Sequence, residues 1–310
     1  MSSSSSIKAT FAVIGGTGTL GEPISVALLT EFREQFTTVR VFTRDPSSAT
    51  AQGLAKKGAE IVALDIDNLG AALAGVDVIA NILPTVLPED VRKKVNDAAV
   101  NSGAKVYFLS EFGLDHRLVN FSGYEQPEWE GKKRLGAHVR AQAKGTGTKV
   151  ISLYTSVFLD ILLSPLFVTV GFDLEKNVYH PYGSASKKFS TTAKNDIGRA
   201  VGSLALLALD PSTAAAVPDE ARIAGSTVSY EEVRDIVSSV KGVPKGEIEV
   251  LDLDKLEQSL RDQKGKGGIL DYLRLSIGKG WLDHSDNDNE LINPGQKLWK
   301  WKTVEDQLRA

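Results

Sequence analysis

Seven residues near the N-terminus carry the clearest chemical signal: Gly15-Gly16-Thr17-Gly18-Thr19-Leu20-Gly21. They read as GxGxxG on Gly16, Gly18 and Gly21, or as GxxGxxG on Gly15, Gly18 and Gly21. Either way the chemistry is the same. Residues without bulk permit a tight turn, backbone N–H groups come close to a pyrophosphate, and a following helix points its positive end at that charge. The loop follows the apolar run Phe11-Ala12-Val13-Ile14 and opens a stretch able to form a helix, the setting such a motif requires.

The second charged signal lies about one βα unit further on. Val41-Phe42-Thr43-Arg44 closes a β-rich run, where NAD-binding chains of this type place an acidic residue for the ribose 2′-hydroxyl. Thr43 and Arg44 stand there instead, and a guanidinium suits a 2′-phosphate. Asp45 is adjacent, and a solvated loop charge is the plain alternative for Arg44. The expected cofactor is therefore NADPH.

These residues need a scaffold, and the first half of the chain supplies one. Short β-rich runs occur at Ala9–Ile14, 38–43, 60–64, 76–82, 105–110 and Lys149–Tyr154. Stretches able to be helical lie between them at 20–34, 49–57, 68–74, 88–101 and 132–144. Near-continuous apolar strands suit a parallel sheet covered on both faces, and the alternation predicts a doubly wound α/β sheet, the Rossmann fold, with right-handed crossovers. The expected division is a dinucleotide domain over 1–154, with 189–209 returning to it, and a smaller C-terminal substrate lobe over 155–310. A helix is expected from Asp196 to about Leu209, and another at the capping-box pattern Ser229-Tyr230-Glu231-Glu232. Residues 264–268 read as a glycine-rich flexible loop and 283–290 as a solvated polar one.

Bulk properties narrow the function classes. The 310 residues are 42% hydrophobic and 24% charged, enough to form a core without staples. A formal charge of −3 gives no reason to expect nucleic acid or an anionic membrane as partner. Without cysteine there is no disulfide framework, thiolate zinc site or cysteine nucleophile. His116, His138, His180 and His284 are too scattered to suggest a metal site. The serine run at the start reads as a disordered tail, and the greasiest window, 150–172, is broken by Asp160 and Pro165 and reads as core strand. A cytoplasmic protein is the expectation, and its oligomeric state is not specified. Phe112, Phe158, Phe167, Phe172 and Tyr179 are candidates for an aromatic pocket, or for plain core.

Taken together, Val13-Ile14-Gly15-Gly16-Thr17-Gly18-Thr19-Leu20-Gly21, Ser110-Glu111-Phe112-Gly113, Asp196-Ile197-Gly198 and Lys302-Thr303-Val304-Glu305 resemble the isoflavone reductase-like branch of the NmrA-like atypical short-chain dehydrogenases. Leu109 stands where that family usually has proline before Ser-Glu-Phe-Gly. The resemblance implies an NADPH-dependent reductase of a small aromatic, phenylpropanoid-like molecule, with Ser110, Glu111 and Phe112 beside the cofactor. It also implies a rival, since the family includes regulators that sense the dinucleotide without turnover.

Ordinary short-chain dehydrogenases use Tyr-x-x-x-Lys, and none of the seven tyrosines has lysine four residues on. Tyr182 comes nearest, with Lys187 five residues on, off the helical face the pair needs. The isoflavone reductase-like pattern instead places a lysine at the start of an amphipathic helix. Lys132-Lys133-Arg134-Leu135, followed by Val139, resembles it, with Lys132 or Lys133 as the acid/base. Anchoring on Val139-Arg140 would put Gly136 at that position and leave no lysine there, and a solvated basic helix start remains the alternative.

Overall fold

The computed structural model describes residues 7–164, 168 and 170–310. The serine run and Phe167 lie outside the described residues.

The first half runs as β1 (Ala9–Ile14), α1 (Gly21–Thr30), β2 (Phe36–Thr43), α2 (Ala49–Lys56), β3 (Glu60–Ala63), α3 (Leu69–Ala72), β4 (Val78–Asn81), α4 (Glu89–Asn101), β5 (Val106–Phe108), α5 (Pro127–Ala143) and β6 (Lys149–Tyr154). The second half adds β7 (Val157–Phe158), α6 (Leu159–Leu162), β8 (Phe172–Asp173), β9 (Val178–Tyr179), β10 (Phe189–Thr192), α7 (Lys194–Leu209), β11 (Glu220–Arg222), β12 (Ser226–Val228), α8 (Tyr230–Lys241), β13 (Glu247–Ile248), α9 (Leu253–Gln263), α10 (Ile269–Lys279), α11 (Asn289–Ile292) and α12 (Val304–Arg309).

Seven parallel strands form the central sheet in the order β11-β6-β5-β4-β1-β2-β3. Strand order therefore reverses between β1 and β4, where Ile14 pairs with Phe42 on one side and Asn81 on the other. That crevice beyond the carboxyl ends of the strands is where such sheets bind ligands. Both faces are covered, so β1 and β4 are almost wholly buried apolar runs. The predicted doubly wound sheet is what the chain forms.

Helix α7 lies against α1 through Gly198, where a Cβ would sit 2.8 Å from the Pro23 carbonyl. Buried Asp196 accepts the Lys302 backbone N–H at 2.7 Å and the Arg199 guanidinium at 2.9 Å, tying the C-terminal segment to this helix. Strand β11 extends the same sheet. The remaining second-half residues form two three-stranded sheets, β12-β10-β7 and β13-β9-β8, around a second apolar core. Ser229 and Glu232 make the expected capping box at α8.

Three local expectations change. Helix α5 starts at Pro127, not 132, because the Gln126 side chain caps the Trp129 N–H and proline occupies the first turn. Helix α1 stops at Thr30 rather than continuing to 34, and Phe32 beyond it packs on Gly202 of α7. Residues 283–290 are no free solvated loop. His284 is fully buried, and Asp288 and Asn289 accept the backbone N–H groups of Arg222 and Ala224 along β11.

Candidate active site

The glycine loop is shaped by close backbone packing. Gly15 has φ +84°. A Cβ on Gly21 would lie 2.1 Å from the Gly15 carbonyl oxygen, and one on Gly16 would lie 2.9 Å from both Ser25 Oγ and Val41. Only glycine fits at those points. Ser25 Oγ donates to the Gly16 carbonyl at 3.0 Å, and the Thr17 and Thr43 hydroxyls meet at 2.8 Å, joining the loop to the end of β2. No side chain caps the start of α1.

The loop faces a cleft of about 840 Å³, within the upper range of cofactor-sized cavities. Gly15, Thr17, Gly18, Thr19, Leu20, Arg44, Ser110, Glu111, Phe112 and Lys132 border it. Gly16 and Gly21 lie behind this surface and allow the turn, and the Leu20 side chain also reaches into the core. Arg44 is exposed at one end with no hydrogen bond or ion pair to another described residue. Its neighbour Asp45 turns back on itself: its carboxylate accepts the Ser47 N–H at 2.9 Å and hydroxyl at 2.6 Å, which hold its pKa below the ordinary carboxylate value. Asp45 is thus occupied locally while Arg44 is available to an anion.

Ser110 and Glu111 sit at the carboxyl end of β5. The Ser110 hydroxyl donates to the Leu83 carbonyl at 2.7 Å, fixing the β5 exit to the β4 exit. Asn81, Tyr107 and Asn96 form a buried chain below, with Asn81 Nδ2 donating to the Tyr107 hydroxyl at 3.1 Å and that hydroxyl to Asn96 Oδ1 at 2.5 Å. Phe112 has φ +32° and Ser156 φ +54°, left-handed conformations uncommon away from glycine, and both border the same apolar pocket. Strain of this kind concentrates where surrounding structure holds a site in shape.

At the β5 exit, three strands across the sheet from Arg44, the Lys132 ammonium donates to the Glu111 carbonyl at 2.7 Å and lies 3.8 Å from Glu111 Oε2. That carboxylate also meets His116 Nε2 at 2.9 Å. Only 15% of the Lys132 side chain is exposed. Burial lowers its pKa from the ordinary lysine value despite the opposing pull of Glu111. For Glu111, burial acts to raise the pKa, but the His116 hydrogen bond and the Lys132 and Arg140 charges outweigh it and leave the pKa lowered. The arrangement is an amine with reduced proton affinity held beside a carboxylate, a pairing able to exchange a proton with a neighbouring group.

Lys133 goes elsewhere. It pairs with Glu130 at 2.7 Å and is not among the residues bordering the cleft; it borders an adjoining cavity of about 290 Å³ that Lys132 and Glu111 also line, with Arg117, Arg140 and Tyr154. Helical phase separates the two lysines, since adjacent residues lie on different faces. Gly136 sits one turn beyond Lys132, facing Leu109 and Glu111, so the lysine in the cleft is offset by a turn from the position the Val139 anchoring gives.

Lys132 and Glu111 also border an apolar pocket of about 400 Å³. Its walls include Trp129, Phe158, Ile161, Ile269, Leu273 and Leu282. Of the aromatic candidates, Phe112 and Phe158 line this pocket, whereas Phe172 stacks on Tyr230 at 4.3 Å and Tyr179 is core. Among the described residues, no group of three or more His, Asp or Glu is placed to hold a metal ion. No helix among them is long and apolar enough to cross a membrane.

Sequence reasoning did not single out His116, Glu128, Trp129, Ile269, Leu270 or Leu282. Pro127 followed by Glu128 and Glu130 is a helix-start signal that would have moved the start of α5 and put Trp129 and Lys132 on one face; for the other residues no local signal exists.

The NmrA-like family model matches residues 7–254. An NmrA-like family domain-containing oxidoreductase of Gibberella moniliformis is 27% identical over 213 residues, which cover 68% of this chain and 66% of that protein, just under two thirds of its length. Among solved structures, AtPrR2 with NADP+ and (+)pinoresinol has a TM-score of 0.73 at 21% identity, covering 97% of this chain and 98% of that one. Isoflavone reductase has a TM-score of 0.74 at 17% identity, with the same coverage.

Proposed function

The chain belongs to the NmrA-like family, and we propose that it is an NADPH-dependent reductase of a small aromatic molecule, with Lys132 as its acid/base. The observation that carries this reading is the position of Lys132. Its amine borders both the dinucleotide-sized cleft and the apolar pocket, so it stands where a cofactor and a substrate would meet. The named relative is an oxidoreductase, and one fold neighbour is described with NADP+ and (+)pinoresinol, which supports the same reading.

The residues fit the cofactor on structural grounds. A loop that Cβ atoms would fill offers backbone N–H groups and the start of α1 to a pyrophosphate. Arg44, without a partner among the described residues, would take the 2′-phosphate, and Ser110, Glu111 and Phe112 would border the nicotinamide end. When bound, NADPH supplies a hydride. The chain's own part is to hold the substrate against apolar walls, exclude water and move a proton at Lys132 Nζ. Glu111 orients that amine through its carbonyl and keeps a negative charge beside it. Residues 1–154, with 189–209, serve the cofactor, while the substrate wall is shared: Phe158, Ile161, Ile269, Leu270 and Leu282 come from 155–310, and Phe112, Glu128 and Trp129 from the first part of the chain.

The test is a fluorescence titration with NADPH and NADH, followed by a panel of phenylpropanoid acceptors. Tight NADPH binding with acceptor-dependent loss of the reduced-cofactor signal is expected. Binding with no turnover on any acceptor would favour a redox sensor, and absence of binding would overturn the proposal.

A further inference from the structure

The apolar pocket holds two carboxylates, and they are not in the same situation. Glu111 is answered by Lys132 and by His116. Glu128, in the first turn of α5, has a neutral hydrogen-bond partner, the Thr85 hydroxyl donating to its Oε2 at 2.6 Å, and feels the Lys132 charge only beyond ion-pair distance. It forms no ion pair with any described residue, and Lys132, one turn further along, is engaged at Glu111. Among the described residues no arginine borders this pocket, and the one lysine that does is Lys132. Glu128 is half-buried, so part of its water has been replaced by apolar wall. A carboxylate in that position accepts further hydrogen bonds strongly and gains from a cation, while it penalises a second anion.

The other walls agree with this. Trp129 follows Glu128 directly, and Phe112 and Phe158 add aromatic rings to the lining. Aromatic faces attract cations and tolerate flat neutral molecules. Ile269 and Leu270 line the same pocket and remain 41% and 39% exposed, an apolar edge that a ligand body would cover.

We propose that Glu128 is a specificity-determining residue that makes this pocket select flat apolar ligands bearing a hydrogen-bond donor or a positive charge, such as phenols and arylammonium ions, and reject carboxylates. This deepens the reductase reading and rests on it for the identity of the pocket as the substrate site. A donor group on the ligand would reach the carboxylate oxygen that Thr85 leaves free, with the ring between Trp129 and Phe158. A carboxylate ligand would lose its water and face like charge, which is selection by repulsion as well as by fit.

The experiment is isothermal titration calorimetry on the full chain without cofactor, at neutral pH. The probes share one ring system: naphthol, naphthylmethylammonium and naphthoate. Naphthol and naphthylmethylammonium are expected to bind, with naphthoate weaker by about tenfold or more. In Glu128→Gln, which keeps the shape and can still meet Thr85, naphthoate should come within about threefold of naphthol, and naphthylmethylammonium should weaken. Equal binding of naphthol and naphthoate to the unaltered protein would overturn the proposal. So would a gap that persists in Glu128→Gln, or a failure of all three probes to bind. NADPH titrated into the same samples reports on the cofactor cleft separately, so loss of one reading is distinguishable from loss of the other.

Discussion

Replacing Lys132 by methionine separates chemistry from cofactor binding and from folding. The methionine keeps an unbranched apolar stem of similar length, so the packing along α5 is retained. What disappears is the hydrogen bond to the Glu111 carbonyl at 2.7 Å and the charge 3.8 Å from Glu111 Oε2. Losing the hydrogen bond costs about 1 kcal/mol, and relief from burying an ammonium offsets part of that. Glu111 keeps His116 at 2.9 Å, so it is not left bare. Stability in urea should therefore change by less than about 2 kcal/mol. Arg44 follows β2, three strands across the sheet from the β5 exit where Lys132 meets Glu111, so the NADPH dissociation constant should stay within about threefold. Turnover is a different matter. A positioned acid/base contributes roughly 10²–10⁴ in rate, or about 3–5 kcal/mol of barrier, and kcat/KM should fall by that factor. Lys132→Arg should fall similarly, since a guanidinium keeps the charge but does not release its proton. The assay is acceptor-dependent NADPH oxidation beside a fluorescence titration and a urea melt on the same samples. Turnover of Lys132→Met within tenfold of the parent would refute the acid/base role, and an equal loss of NADPH affinity would show that the lysine serves binding instead.

Further outcomes follow from the same geometry. Arg44→Gln should weaken NADPH by about tenfold or more while leaving NADH nearly unchanged, as expected for loss of a charge-assisted contact to a phosphate; parallel titrations with the two cofactors check it. Gly21→Ala forces a methyl to within 2.1 Å of the Gly15 carbonyl, so the loop must move, with about 1–3 kcal/mol lost in urea unfolding and NADPH binding lost with it. Glu111 is held below its ordinary value near 4.5, so just below that pH the folded protein binds fewer protons than the unfolded chain. Its contribution to stability is present above the unfolded value and disappears as pH falls through the folded one. Urea unfolding at pH 7 and pH 3.5 should show a smaller drop for Glu111→Gln than for the parent, and equal drops would contradict the carboxylate assignment.

The legible parts of this chain were those whose cause is local. An apolar strand, a turn with no room for a Cβ at Gly21 and a helix are contiguous from Ala9 to Thr30, so their residues announce both the element and the ligand class. The alternation of β-rich and helical stretches was equally plain, because the right-handed crossover leaves few ways to arrange such segments. Even here the boundaries moved: α5 gained a turn that Gln126 and Pro127 encode, and residues 283–290 proved to be fastened along β11.

Tertiary structure decided the rest. Lys132 and Lys133 are neighbours of the same type, and only the orientation of α5 against β5 puts one beside Glu111 in the cleft and leaves the other paired with Glu130 outside it. Asp45 looked like a rival to Arg44 until its own turn was seen to occupy it. The walls of the apolar pocket come from three different elements, Trp129 from α5, Phe158 from β7 and, more than a hundred residues further on, Leu270 from α10. Each is an ordinary apolar residue in sequence. Only the fold's long-range packing brings them around one amine, because no pattern within a single segment records which distant segment it will face.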